Sequence, residues 1–443
     1  MKLIAFYNKI FAYILFNVFK LSFKLKFSRL TRLIFSKHLK LIHKSHSNKK
    51  IHIWLFSKDG INEDIEQILN HNNDIELWSV SRLLIKYVAN FYLPAGLDDN
   101  TYNRNIKKYK KNKDRLRNFW LDFFKSYNFQ KPKVIFTANF TYYAEKEFGY
   151  AVKNNNIQFI ALHKECLKPK GRVEFFKELY QMRGAFNGSS IFVYNNIERD
   201  LQIKAKIINE QCIKNTGMPR LDRNHKFRIQ SDTRINSNKV LIFGFAEHTG
   251  LPRVYRKNRG GQANFEYSKP SHKNLKWNKL FINFYQSIID LARQNENNIF
   301  FLKLKQRNRD LDPIINYLKH HNAPDNIKII FGGDPFNLLT ESRCVIGFNS
   351  SALLEAVAIG LDVFVPNFDE CLMPEYKKYI PNFSRSTIYC ESKDILIKKV
   401  STNLRENIFR DISLNKDKLK DLKKWLGNDD GKSASRVLEY MDL

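Results

Sequence analysis

From residue 51 onward, apolar runs of strand length alternate with stretches of helical period, and the alternation is made twice. Runs at 51–56, 75–80, 134–137, 157–162, 191–194 and 212–215 are separated by helical patterns, among them 62–70, 107–127, 142–153, 175–182 and 197–208. A second series at 239–245, 299–304, 327–331, 344–347 and 363–366 is separated by helical patterns at 275–293, 311–320, 335–340 and 351–359, and 387–390 is placed to close its sheet. Such alternation argues for parallel strands, because a helix returns the chain to the same end of the sheet before each new strand. The polar stretch 223–238 (RNHKFRIQSDTRINSN) reads as a linker. The expected fold is α/β, with two Rossmann-like domains over 51–230 and 238–405 and terminal helices over 406–443. Any site belongs in the cleft between the carboxyl ends of the two sheets.

The charge is unevenly spread. The 443 residues carry 75 Lys and Arg against 44 Asp and Glu, a formal +31. The 43% apolar content supplies real cores and excludes a disordered chain, a collagen-like repeat or a small disulfide scaffold. A charge this large implies an anionic partner, whether nucleic acid, membrane or phosphorylated substrate. Residues 1–50 hold ten Lys, two Arg and no acid. Their longest uncharged stretch runs from Ile10 to Phe19, about half of the ~20 apolar residues a membrane span needs. Residues 21–28 alternate with period two, which favours a strand, whereas Ile10, Ile14, Val18, Leu30, Leu33 and Ile34 fit a helix; both conformations stay open. The segment reads as a basic amphipathic extension that seeks an anionic membrane surface, which puts the protein on the inner face of the cell membrane. The alternative is that its apolar residues pack on the protein's own core. The basic stretch 107–117 stands without a nucleic-acid-binding module, so no specific nucleic-acid partner is expected. Five scattered cysteines without a C-x-x-C pair read as reduced, cytoplasmic thiols. His163 and Cys166 have metal-like spacing but no second pair, so no metal site is expected.

The stretch 347–366, GFNSSALLEAVAIGLDVFVP, carries the most chemistry. A strand ends in Asn349, Ser350 and Ser351, and a helix begins there. A serine is a natural N-cap. The free N–H groups and positive dipole end of a helix start form a ready site for phosphate. Glu355 lies about one turn further on, where its carboxylate can accept from a ribose diol.

This stretch resembles the donor-nucleotide motif of GT-B glycosyltransferases, most closely the surface-polysaccharide enzymes related to CDP-glycerol glycerophosphotransferases and capsule Kdo-transferases. Three further stretches share the resemblance: Asn215-Thr-Gly-Met-Pro-Arg220-Leu-Asp222, Thr137-Ala-Asn139-Phe with His163-Lys164-Glu165, and Asp430-Gly-Lys-Ser-Ala-Ser-Arg436. Together they span about residues 130–440 and leave out the first fifty. The resemblance implies a metal-independent transferase without a cofactor. It would use a nucleotide-sugar or nucleotide-activated polyol donor and a glycan or lipid-linked acceptor. Asn349, Ser350, Ser351 and Glu355 would contact the donor. Relatives often carry Lys/Arg-x-His-Pro after the middle strand of this half. This chain has Leu304-Lys305-Gln306-Arg307 there, which leaves Lys303, Lys305 and Arg307 as the phosphate-side cations.

Glu165 follows a buried-looking strand and is placed to deprotonate an acceptor hydroxyl; a plain loop acid is the alternative, and His163 could take the same role. Arg220 and Asp222 form either a salt bridge or a substrate contact. The long loop 246–274, with Arg253, Arg256, Lys257 and Arg259, either closes over a phosphate or is a surface insertion. A sugar-nucleotide epimerase on the same fold and a basic polyanion- or RNA-binding protein are the competing functions.

Overall fold

A computed structural model describes residues 2–26, 28–56, 61–103, 106–252, 254–257, 263–267, 275–305, 308–383 and 386–443. The first lobe is built on seven strands: β1 (Lys40–His43), β2 (Ile51–Phe56), β3 (Ile75–Val80), β4 (Val134–Thr137), β5 (Gln158–His163), β6 (Ser190–Val193) and β7 (Ile213–Asn215). Their order is β1-β3-β2-β4-β5-β6-β7. All neighbours run parallel except β1, which is antiparallel to β3. The apolar runs are continuous rather than alternating because helices cover both faces: Ile53, Trp54, Leu55 and Phe56 are all buried.

The second lobe contains β8 (Lys239–Phe243), a hairpin of β9 (Val254–Lys257) and β10 (Ala263–Tyr267), then β11 (Ile299–Leu304), β12 (Ile327–Phe331), β13 (Cys344–Gly347), β14 (Asp362–Pro366) and β15 (Ile388–Cys390). Its main sheet has the order β12-β11-β8-β13-β14-β15 and is parallel throughout. This is the doubly wound order, in which the winding reverses between β8 and β13. Ligands of such sheets lie in that crevice, beyond the carboxyl ends of the strands. Both lobes are thus Rossmann-like, the two-lobed GT-B architecture expected from the sequence.

Several segments differ from the sequence expectation, among them 406–415, expected in a terminal helix, which lies between the helices Lys393–Arg405 and Lys416–Asp421. Residues 223–230, read as part of a linker, belong to the helix Leu221–Gln230. Asn224 and Arg228 are buried because they bind distant backbone carbonyls. Asn224 Nδ2 donates to Glu355 O at 2.9 Å, and Arg228 donates to Ala358 O at 2.7 Å and Ile412 O at 2.9 Å. The stretch 246–274 is not a plain loop, since it contains the β9–β10 hairpin. Arg253 and Arg259 lie outside the described residues, as does Arg307.

The first fifty residues are helical over Lys2–Lys24 and Ser28–Lys37, and β1 then joins the edge of the first sheet. The period-two reading of 21–28 failed because the first helix is apolar on two faces. Phe19 and Phe23 are buried on one side, while Leu21 and Leu25 are exposed on the other. The buried side joins an aromatic cluster on the outer face of the first sheet. Phe35 meets Trp54, Phe123 and Tyr127 with ring centroids 5.8, 5.0 and 6.0 Å apart.

The lobes share one apolar cluster, which includes Ile53, Leu55 and Phe136 from the first and Leu241, Val345 and Val363 from the second. The helix Ala352–Ile359 lies within it, buried from Leu353 to Ile359. The chain also crosses back. The helix Ser433–Tyr440 is anchored to the linking segment, where Asp222 accepts from Ser433 N at 3.1 Å and Ala434 N at 2.8 Å, and Arg436 Nε donates to Thr216 O at 2.9 Å.

Candidate functional site

A cleft with about 290 Å³ of open space lies between the lobes, close to the lower end of the size range of small-molecule sites. One wall comes from the second lobe at its crevice. Gly244, Phe245 and Ala246 follow β8, and Phe348, Asn349, Ser350 and Ser351 follow β13. The other wall is the loop after β5, with Lys164, Glu165, Cys166 and Leu167, together with Arg172. The sequence placed Asn349, Ser350, Ser351, Lys305 and Glu165 at the site, and all five line this one space.

The helix start is preorganised. Ser351 occupies the N-cap position, and Ser350 Oγ accepts from Ala352 N at 3.3 Å. Asn349 adopts a left-handed backbone with φ +50°, a conformation Asn tolerates better than most residues. Its amide donates to Tyr379 O at 3.3 Å, while its buried Oδ1 has no partner. Gly250 is required opposite it: at φ +77°, a Cβ there would stand 2.1 Å from Asn349 Nδ2. Lys305 adds an exposed cation on this wall.

The opposite wall is held from behind by a buried polar network. Three consecutive carbonyls of the loop are gripped in turn: Glu165 O by Lys168 Nζ, Cys166 O by Asn195 Nδ2 at 3.0 Å, and Leu167 O by Arg172 at 3.0 Å. Lys168 also pairs with Glu198, whose other oxygen takes Tyr180 OH at 3.0 Å and Gln202 Nε2 at 2.8 Å. His163 Nε2 lies 3.1 Å from both Tyr180 OH and Glu198 Oε1. With 1% exposure His163 stays behind the cleft. That corrects its expected place beside Glu165, since residues 163 and 165 part where β5 ends: one turns into the core and the other into the cleft.

Glu165 is exposed to the cleft while protein surrounds its remaining sides. Burial pushes its carboxyl up, but Lys168, Arg172, His163 and Lys164 outweigh that and hold it at about 2. Neighbouring Cys166 is almost wholly buried, and burial pushes its thiol up to about 12, which favours the protonated form. Glu198 follows the same balance as Glu165. Burial raises its pKa, Lys168 and His163 lower it, and the result is about 2 against a usual 4.5. A depressed carboxylate stabilises the fold fully above its unfolded pKa, and that stabilisation fades as pH falls toward the folded value. Unfolding free energy should therefore drop as pH falls from about 4.5 to about 2. A Glu198→Gln protein, weaker at neutral pH, should lose less across that window when both are titrated with denaturant; equal losses would remove Glu198 from the acid response.

The remaining sequence candidates lie elsewhere. Glu355 is 3% exposed and does not line the cleft. Its Oε1 accepts from Arg220 at 3.1 Å, and Arg220 also reaches Asp64 Oδ2 at 3.1 Å. Asp64 takes Tyr194 OH and the Arg220 backbone N–H as well. Arg220 and Glu355 therefore join the lobes to each other: within a helix buried on every side, a lone carboxylate finds its cation in the linking segment. Lys303 donates to Gly332 O and is likewise not part of the cleft wall.

Sequence reasoning missed the Lys168–Glu198 pair and the cleft position of Arg172, His248 and Thr249. For the last two a signal was present, because Gly244 to Gly250 follows the first strand of a doubly wound lobe, where that fold builds its ligand loop. For Lys168 and Glu198 there was none, since a Lys and a Glu thirty positions apart look like ordinary surface charges.

No family model matches the chain, and no curated protein matches it. Solved structures do align with it along most of its length. A UDP-GlcNAc 2-epimerase from Neisseria meningitidis bound to UDP-GlcNAc is 14% identical, with 89% of this chain and 99% of that one covered and a TM-score of 0.45. The UDP-GlcNAc 2-epimerase from Methanocaldococcus jannaschii is 13% identical over 89% and 99%, with a TM-score of 0.46. The wall teichoic acid polymerase TagF is 10% identical over 98% and 97%, with a TM-score of 0.45.

Proposed function

We propose that the protein is a transferase of cell-surface polysaccharide synthesis, working at the inner face of the membrane. It moves a sugar or polyol phosphate from a nucleotide-activated donor to a glycan or lipid-linked acceptor. The observation that carries this reading is the composition of the cleft. A helix start and Lys305 stand on the wall at the crevice of the second sheet, and a rigidly held carboxylate among cations stands on the other. The first wall suits a diphosphate, which the positive dipole end of the helix and the Lys305 cation stabilise. The second suits an acceptor hydroxyl. Its proton passes to Glu165 as its oxygen forms the new bond, and the bond to the leaving phosphate breaks with its electron pair going to the nucleotide.

A carboxylate at about 2 is a weak base at neutral pH, because efficient proton transfer wants a pKa near the operating pH. The donor offsets this. Its phosphate charge, set against Lys164 and Arg172, weakens their pull on Glu165 and raises the carboxylate's affinity for a proton. The base is thus activated only when the donor is seated.

The test is release of free nucleotide from CDP-, CMP-, UDP- and GDP-activated compounds, with and without membrane-derived glycan acceptors. Acceptor-dependent release from one donor is the expected result. Interconversion of the donor sugar without release would replace this reading with an epimerase, and no turnover or saturable binding of any donor would leave a polyanion-binding protein.

A further inference from the structure

We infer that the helices Lys2–Lys24 and Ser28–Lys37 form a docking face for an anionic lipid bilayer, with the first helix lying in the plane of the headgroups. The face rests on the membrane placement proposed above and is independent of the transfer chemistry.

From residue 13 onward the first helix has two apolar sides, and only one is covered. Phe19 and Phe23 are buried on the first lobe, and Phe16 packs on Tyr87. On the opposite side Ile14, Val18, Leu21 and Leu25 are 54%, 41%, 58% and 53% exposed. Their spacing of four, three and four residues puts them on one stripe. Leu30 and Leu33 of the second helix are exposed too. Phe91, from the adjoining helix Arg82–Tyr92, is half exposed with its ring centroid 5.0 Å from that of Phe23.

Water is a poor partner for a stripe of this kind, and the charges decide which partner suits it. Lys20, Lys24, Lys26, Arg29, Arg32 and Lys37 accompany the stripe, and the first fifty residues hold no acid. Docking on a second copy would set these cations against the same cations. Anionic headgroups complement them while the apolar stripe enters the acyl boundary. No helix among the described residues is long and apolar enough to cross a membrane, which fits a helix lying in the interface rather than through it. A cavity of about 170 Å³ lies between the two helices and the first lobe, lined by Phe23, Tyr92, Phe119 and Phe123, with Lys26, Arg32 and the acid Asp122 beside them.

The test compares the full-length protein with a variant carrying Ile14→Gln, Val18→Gln, Leu21→Gln and Leu25→Gln. These positions are exposed, so far-UV circular dichroism and nucleotide binding should be unchanged. Sedimentation with phosphatidylcholine vesicles, with and without phosphatidylglycerol, reads membrane binding. Wild type should pellet strongly only with phosphatidylglycerol present, and the variant should partition about tenfold or more weakly. Equal pelleting of the two proteins overturns the inference. So does a lipid-free dimer that the same substitutions dissolve, which would assign the face to a second copy. Normal nucleotide binding alongside absent pelleting would reject this face and leave the cleft reading standing.

Discussion

Glu165→Gln should lower turnover by about 100-fold or more, the scale of a lost general base, while donor affinity stays the same or tightens slightly. The split follows from position. Glu165 stands on the wall opposite the helix start at Ser350 and Ser351, so it acts on the acceptor rather than on the donor's phosphates. Removing its negative charge also removes a repulsion that a phosphate would otherwise meet. The substitution should be tolerated, because what holds the loop is a grip on backbone carbonyls rather than on the Glu165 side chain. Lys168 keeps Glu165 O and Glu198, and Arg172 keeps Leu167 O. Steady-state kinetics with an unchanged thermal midpoint is the check. Near-normal turnover would pass the base role to another group.

Arg220→Met should destabilise the protein by about 3–5 kcal/mol, as expected when one partner of a buried charge cluster is removed. Arg220 faces two carboxylates, Asp64 with 0% and Glu355 with 4% side-chain exposure, one in each lobe. Without it both remain buried with only weaker partners, and the lobes lose a joint that also positions the start of the Leu221–Gln230 helix. Urea unfolding of wild type and variant measures the difference. A shift below ~1 kcal/mol, the scale of an exposed ion pair, would contradict a structural role for this cluster. A large loss of donor affinity in a protein of undiminished stability would return Arg220 to the binding site.

The parallel strands were legible because each is a short apolar run closed by turn residues, and a parallel sheet buried on both faces needs little else. The cleft between the carboxyl ends of the sheets followed from the parallel alternation, and the place of Ser350 and Ser351 from the strand-to-helix junction at 347–352. The parts that were not legible share a physical cause: polar residues buried by partners far away in sequence. The Leu221–Gln230 helix looks like a linker until Ala358 O and Ile412 O are seen to accept from Arg228. Glu355 looks like a cleft residue until Arg220 meets it across 135 positions. The first helix hid its conformation by being apolar on two sides, which weakens the helical period that one-sided burial would give.

The central claim is that the interlobe cleft binds a nucleotide-activated donor at the helix start beside Lys305. Titration calorimetry of the full-length protein with CDP-, CMP-, UDP- and GDP-activated compounds tests it most directly, run in parallel on Lys305→Ala. One compound should bind saturably at one site per chain. Lys305→Ala should bind it about tenfold to 100-fold more weakly, the worth of one charge-assisted contact. Binding of no compound in the panel, or equal affinity in the two proteins, would contradict the account.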